Sequence, residues 1–272
     1  MLTDAHCHPA DLAGFYSRLP GCCAEGERRR LGVACASSAT SIAEFEFCER
    51  LSLKALAESA APVLPCFAVH PQMPLSGKPG GAEAGLAVLD LLAGQGRLAA
   101  VGETGFDLFS PAFRETEKTQ DLVFAAHIEA ALRHGLPLVL HARRAMHKIF
   151  AHAAMLRKCR AVVFHSWPGT ASEGQALLRR GINVFFSFGT TIALNHREAM
   201  RCCAIFPGER LLTETDAPFQ PLRGREFSRH ADLPHILETM AALRHDAGKE
   251  GSTPDALEKI IEGNFRAAFS LA

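Results

Sequence analysis

The sequence has no excess of either charge: 29 Lys and Arg stand against 29 Asp and Glu. A chain holding nucleic acid by charge alone would be basic overall, so any such role has to rest on a local site. Tryptophan occurs once and tyrosine once. No apolar run approaches the roughly 18 residues that a membrane span needs. The N-terminal MLTDAHCHP has neither the basic nor the apolar segment of a secretory leader. The nine cysteines include no C-x-x-C pair, and an odd, unpatterned set argues against a disulfide framework or a zinc ribbon. Such thiols suit a reducing compartment and act as small buried apolar groups. The expectation is a soluble cytoplasmic protein with no membrane segment. With no G-x-S-x-G elbow and no P-loop, serine-nucleophile and nucleotide-cradle chemistries have no motif to stand on.

What is present is a core-building composition, 48% hydrophobic and 21% charged, which excludes disorder. Short β-prone runs recur: LTDAH (2–6), LGVACAS (31–37), APVLPCFAVH (61–70), RLAAVGE (97–103), LPLVLH (136–141), AVVFH (161–165), INVFFSF (182–188) and RLLTET (210–215). Most are continuously apolar, as strands buried on both faces of a parallel sheet are. Helical spacing fills the gaps. From Ser41 to Ala60 it carries Ile42, Phe45, Leu51, Leu53 and Leu56, and from Gln120 to Arg133 it carries Leu122, Val123, Phe124, Ala126, Ile128 and Leu132. Gly135 and Gly181 stand where a helix ends before a strand. GKPGGAEAG (77–85) reads as a loop, and the tail from about Asp232 to Phe269 as helices covering the last strand. Eight strands in strict alternation with helices, in 272 residues, predict an α/β fold: a single (β/α)₈ TIM barrel, one domain over 1–272.

In such a barrel the site lies at the C-terminal ends of the strands. The first run closes on His6-Cys7-His8, and residues two apart on an extended chain share a side, so both imidazoles can reach one ion. The fourth run ends in Glu103, the fifth in His141 and the sixth in His165, and the eighth is followed by Asp216. Four His and two carboxylates on one face suit two divalent ions (Mg²⁺, Mn²⁺ or Zn²⁺), with Glu103 placed to bridge them. The lysines, such as Lys54, Lys118, Lys148 and Lys158, fall in helices or loops, which leaves no strand-end lysine for a bridge. Cys7, between two candidate ligands, faces away and packs.

Seven stretches in order, DAHCHP (4–9), AVHP (68–71), VGETGFDLF (101–109), LVLHAR (138–143), VVFHSWPG (162–169), NVFFSFG (183–189) and LLTETDAPFQP (211–221), resemble the TatD family of metal-dependent hydrolases, in the amidohydrolase superfamily. Asn264-Phe265 resembles its closing motif. The resemblance implies that His6 and His8 bind one metal, that His141 and His165 bind the other, and that Glu103 is shared. It also implies that Asp216 binds the first metal and handles the proton of the attacking water, and that His70 orients the substrate phosphate. The implied activity is a Mg²⁺- or Mn²⁺-supported deoxyribonuclease or phosphodiesterase, with 3′→5′ exonuclease action in some members and DNA as substrate. Departures from the family pattern fall beside the ligands: His141-Ala142-Arg143-Arg144-Ala145 for H-S-R-D-A, His127 closing a helix that keeps Gln120 and Phe124, His165-Ser166-Trp167-Pro168-Gly169 for H-C-F-S-G, and Arg229-His230-Ala231-Asp232-Leu233-Pro234 for R-x-N-E-P.

The expected chemistry is attack by a water acidified between two ions, with Asp216 as general base. Arg143 and Arg144 after the fifth strand, and Arg223, Arg225 and Arg229 after the eighth, are candidate phosphate contacts or plain surface. Arg28-Arg29-Arg30 and Arg179-Arg180 precede strands and read as solvated surface. Trp167 reads either as a base-stacking residue at the mouth or as loop packing. Two other readings stand beside the nuclease: a hydrolase of a small ester, lactone or amide, and a non-enzymatic metal-holding interaction protein. The sequence points to no particular obligate protein partner.

Overall fold

The computed structural model describes residues 1–19, 21–72 and 81–271. Eight strands appear in it: β1 (Thr3–Cys7), β2 (Ala34–Ala39), β3 (Val63–Phe67), β4 (Ala100–Asp107), β5 (Leu138–Arg143), β6 (Val162–Phe164), β7 (Val184–Phe188) and β8 (Leu211–Thr213). They pair in chain order, each parallel to the next. The ring closes beyond β8, where His6 O accepts from Asp216 N at 2.9 Å and Ala217 O accepts from His8 N at 2.7 Å. This is the expected TIM barrel, with helices between the strands.

Alternation puts one set of side chains inside. Ala5, Ala36, Cys66, Ala100, Val139, Val163, Phe185 and Leu212, one from each strand, form a buried cluster with Phe265 and Phe269 of the last helix, Pro254–Phe269. The opposite set, including Phe67, Val101, Leu140, Phe164 and Phe186, meets the surrounding helices. Both faces are dry, which is why the strand runs are apolar without a break. Asn264 pins the last helix by donating to Gly208 O and Leu211 O, each at 2.8 Å.

The helix expected from Ser41 runs Ile42–Ala57, capped by Ser41 Oγ accepting from Glu44 N. Its buried face is Phe45, Cys48 and Ala55, whereas Leu53 and Leu56 point to solvent. The second helix spans Glu117–His134 and ends on Gly135 in the left-handed region. The tail forms Leu233–Asp246 and Pro254–Phe269, as expected. In the stretch read as a loop, 77–80 lie outside the described residues, and Gly81 already begins the helix Gly81–Gly94. Arg28 overturns its surface assignment. It is 2% exposed and donates to the Ala61 carbonyl at 2.8 Å and to Glu25, joining its helix to the approach to β3. An Arg can be buried when its donors are so saturated. Arg179 and Arg180 are exposed, as expected. Seven cysteines are buried and unpaired; Cys22 and Cys23 are exposed. Among the described residues no helix is long and apolar enough to cross a membrane.

Candidate active site

Each strand delivers its side chain near the C-terminal rim, some deeper than expected. His6 and Glu103 lie within β1 and β4, because β1 continues to Cys7 and β4 to Asp107. His141 is two residues from the end of β5, and His165 directly follows β6. Register shifts occur between Asp4 and Cys7 on β1 and between Val101 and Thr104 on β4. Such irregularities re-aim side chains next to sites. Gly105 fixes the β4–β5 approach: its φ is +131° and an added Cβ would lie 2.1 Å from His141 O.

The six residues converge. His6 Nε2 and His8 Nε2 are 3.1 Å apart. Asp216 Oδ1 lies 3.5 Å from each of those nitrogens. Glu103 stands at the centre, 3% exposed, and turns one oxygen to each side. Its Oε2 is 3.2 Å from His6 Nε2 and 3.8 Å from His8 Nε2. Its Oε1 is 2.6 Å from His141 Nδ1 and 3.1 Å from His165 Nε2. His70 Nε2 also faces Oε1, at 3.5 Å.

Burial alone would raise the Glu103 pKa, but His165, His70, His6 and the His141 hydrogen bond outweigh it and hold the carboxyl well below the usual range. For Asp216 the same contest, burial against His165, His8 and His6, also ends below the ordinary value. Burial lowers the His165 pKa, yet Glu103, Glu214 and Asp216 together carry it well above normal. His141 and His8 are raised in the same way, through Asp107 and Glu103 for the first and Asp216 for the second. His70 goes the other way: desolvation dominates and keeps its imidazole neutral more readily.

These atoms can hold metal. His6–His8–Asp216, His6–Glu103–His165 and His70–Glu103–His141 are sets whose ligand atoms lie within 4.8 Å of one another. Imidazole with carboxylate suits borderline divalent ions. The ring nitrogens gather around one carboxylate with its charge on both oxygens, the donor chemistry such ions need, so the residues fit them. A cavity of about 760 Å³ opens above, lined by His8, His70, Glu103, His141, Arg143 and Asp216 among others. A second, smaller cavity, lined by Leu12, Tyr16, Phe47, Leu51 and Val63 with a few polar groups, lies apart from this cluster.

Several supporting groups were not anticipated from sequence. Asp107 accepts from Gln72 Nε2 at 2.8 Å and faces His141 Nε2 at 3.4 Å. Gln120 clamps its backbone, accepting from Asp107 N and donating to Asp107 O. Asp4 takes Thr215 Oγ1 at 2.6 Å and faces His230 Nδ1 at 3.0 Å, tying β1 to the chain after β8. Glu214 accepts from Ser166 N at 2.6 Å and faces His165 Nδ1 at 3.5 Å. Gln220 donates to Asp216 Oδ2 at 2.7 Å. The two-residue spacing of Asp4 to His6 and of Glu214 to Asp216 was the available signal.

The expected substrate contacts separate. His70 and Arg143 line the cavity. Trp167 does not: it is 4% exposed, with Phe164, Phe186 and Phe206 around its ring, so loop packing is the correct alternative and the stacking role at the mouth is set aside. The cause is the turn at Ser166, which has φ +45° and folds the next residue back under the rim. Arg223 and Arg225 are exposed away from the cavity lining, Arg225 facing Asp232, and Arg229 faces Glu27. Cys7 packs with Leu12, Tyr16 and Cys35 as expected. His127 is fully buried: its Nε2 accepts from Val69 N at 2.9 Å and its Nδ1 lies 2.6 Å from Val123 O.

A family model for TatD-related DNase matches residues 3–270. The 3′-5′ ssDNA/RNA exonuclease TatD of Klebsiella pneumoniae (strain 342) is 32% identical over 210 residues, 75% of each protein. That of Escherichia coli K12 is 32% identical over 180 residues, 63% of this chain and 68% of the relative. The crystal structure of a TatD homolog from Escherichia coli K12 superposes with a TM-score of 0.81 at 24% identity, covering 100% of this chain and 98% of that one. An amidohydrolase from Saccharomyces cerevisiae superposes at 0.71 and 16% identity, over 97% and 98%. A match that runs from β1 to the last helix, on a barrel whose ligand-type residues meet at one rim, makes this chain a member of the TatD-related DNase family.

Proposed function

We propose that this chain is a metal-dependent phosphodiesterase acting on DNA, removing nucleotides from a 3′ end, with two divalent ions held by His6, His8, Glu103, His141, His165 and Asp216. The observation that carries the reading is the division of Glu103: one oxygen faces the His6–His8 pair and the other the His141–His165 pair. A carboxylate so placed would hold both ions when they are bound. The relatives' names supply the substrate class and polarity. The same reading makes residues 1–272 one catalytic domain, since all eight strands belong to one sheet, and places it in the cytoplasm, where its unpaired thiols would persist.

Divalent ions bound there supply Lewis acidity toward phosphoryl oxygens and acidify water. Asp216 is ionised at neutral pH and accepts the proton of the attacking water. Gln220 occupies its Oδ2, which leaves Oδ1 directed at His6 and His8. His70, on the cavity wall, orients the scissile phosphate, and Arg143, on the same wall, is a contact for the strand's backbone phosphates. His127 holds the amide just before His70, and Asp107 and Glu214 hold the outer sides of His141 and His165. Such outer partners fix ring orientation and basicity.

The test is single-stranded DNA labelled at its 5′ end, incubated with protein stripped and reloaded with Mg²⁺ or Mn²⁺. A ladder shortening from the 3′ end, absent with chelator and with Glu103→Ala, is expected. An intact strand, with metal bound, would replace the nuclease reading by a small ester, lactone or amide substrate.

A further inference from the structure

Among the described residues, Phe109 and Phe219 are the two aromatic rings in the set of large hydrophobic side chains left exposed, at 42% and 47%. Both lie at the C-terminal rim. Phe109 follows β4 and Phe219 follows β8, half the ring apart in strand order, so they stand on opposite sides of the mouth. Phe219 lines the cavity, its ring centre 5.1 Å from that of His8 and at a steep angle to it. Phe109 supports two cations: the guanidinium carbons of Arg143 and Arg144 are 3.7 Å and 4.6 Å from its ring centre, and Arg143 is the one that reaches the cavity lining. Arg143 lines the same cavity, and among the described residues no carboxylate pairs with it. An exposed aromatic ring and a guanidinium without a counter-charge, both lining one cavity, match a ligand with a flat aromatic part and a separate anion.

We propose that the mouth is a two-point clamp for an unpaired strand. Phe219 takes the face of the nucleobase at the strand end, and Arg143, steadied by Phe109, takes a backbone phosphate neighbouring the scissile one. This rests on the phosphodiesterase reading and narrows it. A base in a duplex is stacked on both sides and has no face to give Phe219, whereas an unpaired end has one. Guanidinium on an aromatic face is held without losing its outward N–H groups, which suits phosphate. The clamp therefore assigns residues to the single-strand action that the relatives' names carry, and it works through binding and not through the chemical step.

Two 5′-labelled single strands of equal length decide it, one ending in an ordinary 3′ nucleotide and one in a 3′ abasic nucleotide. Both are followed by cleavage kinetics with Mn²⁺ and by anisotropy in chelator. Wild type is expected to show a KM about tenfold or more higher for the abasic end, with kcat little changed. Phe219→Ala loses the distinction, and Phe219→Trp restores it. Phe109→Ala and Arg143→Ala each flatten the dependence of log affinity on log salt by about 0.7, the loss of one phosphate contact on a single strand, and the double variant flattens it no further. Both rings are at the surface, so thermal melting of the variants should match wild type. Wild type that treats the two ends alike, or Phe109→Ala with an unchanged salt slope, overturns the clamp while leaving the nuclease intact. If wild type cleaves neither strand, the phosphodiesterase reading falls. The chelator arm then rules on the clamp alone: base-dependent binding lost in Phe219→Ala upholds it, and base-independent binding overturns it.

Discussion

Asp216 and Glu103 differ in what a near-isosteric change removes. Asp216→Asn keeps the size of the side chain but cannot accept a proton, so kcat should fall by about 10²- to 10⁴-fold with a small change in KM. Steady-state kinetics on the labelled strand checks this, and a kcat near wild type would refute the role of base. The imidazoles titrate in the opposite sense to the carboxylates. In metal-free protein His165, His141 and His8 have raised pKa values, so their contribution to stability is full below the ordinary 6.5 and is lost as pH rises through the raised values. Glu103 and Asp216 are lowered, so theirs is present above the ordinary 4.5 and 3.8 and is lost as pH falls through the lowered values. Chelator-treated protein should thus melt highest between about pH 5 and 6.5 and lower at pH 8 to 9. Metal should reverse the trend from pH 6 to 8, because cations compete with protons for the imidazoles. Identical melting temperatures at pH 6 and 9 without metal would contradict the coupled His–carboxylate cluster. At this scale the six ligand-type residues were legible because each closes an apolar run. Trp167 was misleading, since its position beside His165 says nothing of the left-handed turn that folds it inward.

The segments that carry these residues are held by groups with no obvious chemistry. His127, in the helix Glu117–His134, has its pKa pushed down to about 4 by burial and is neutral, with Nδ1 donating to Val123 O and Nε2 accepting from Val69 N. His127→Ala leaves a buried amide unpaired and should cost about 1–3 kcal/mol before any cavity is counted. Urea unfolding checks the loss, and faster hydrogen exchange at Val69 places it. His127→Gln, which can still reach that amide, should recover most of it. Gly105→Ala should be worse, on the order of 3 kcal/mol or more, because the new methyl meets His141 O and the backbone is strained at φ +131°. A melting curve for Gly105→Ala that matches wild type would contradict the β4–β5 approach described above. Element existence was legible from the alternation of apolar runs with helical spacing. The end of β4 was not, since Thr104-Gly105-Phe106-Asp107 has the glycine of a turn. Nor was the burial of Arg28, because two carbonyls and Glu25, none of them predictable as neighbours, make it possible. In the helix Ile42–Ala57 the apolar count suggested a wider buried stripe than the strands cover, and Leu53 and Leu56 remain outside it.

For the whole molecule, the barrel gathers ligand-type residues from β1, β4, β5, β6 and the turn after β8 at one rim, so metal binding and folding are linked. Ions that bind the folded chain alone should stabilise it by about 2.7 kcal/mol at a free concentration 100 times the dissociation constant. For a chain of this size that is roughly 5–10 °C in melting temperature, read by calorimetry with and without Mn²⁺. The number of strands and their order followed from the sequence, because eight strands in a chain of this length have few arrangements besides a closed ring. The sharing of Glu103 between the two histidine pairs was also expected, but which oxygen faces which pair was not, since that depends on distances across the barrel. The direct measurement of that sharing is Mn²⁺ titration followed by calorimetry and electron paramagnetic resonance, on wild type and Glu103→Ala. Two ions per wild-type chain, with the spectrum of an exchange-coupled pair that Glu103→Ala abolishes, is the expected result. One ion per chain, or two uncoupled ions whose binding Glu103→Ala leaves unchanged, would contradict a site bridged by Glu103.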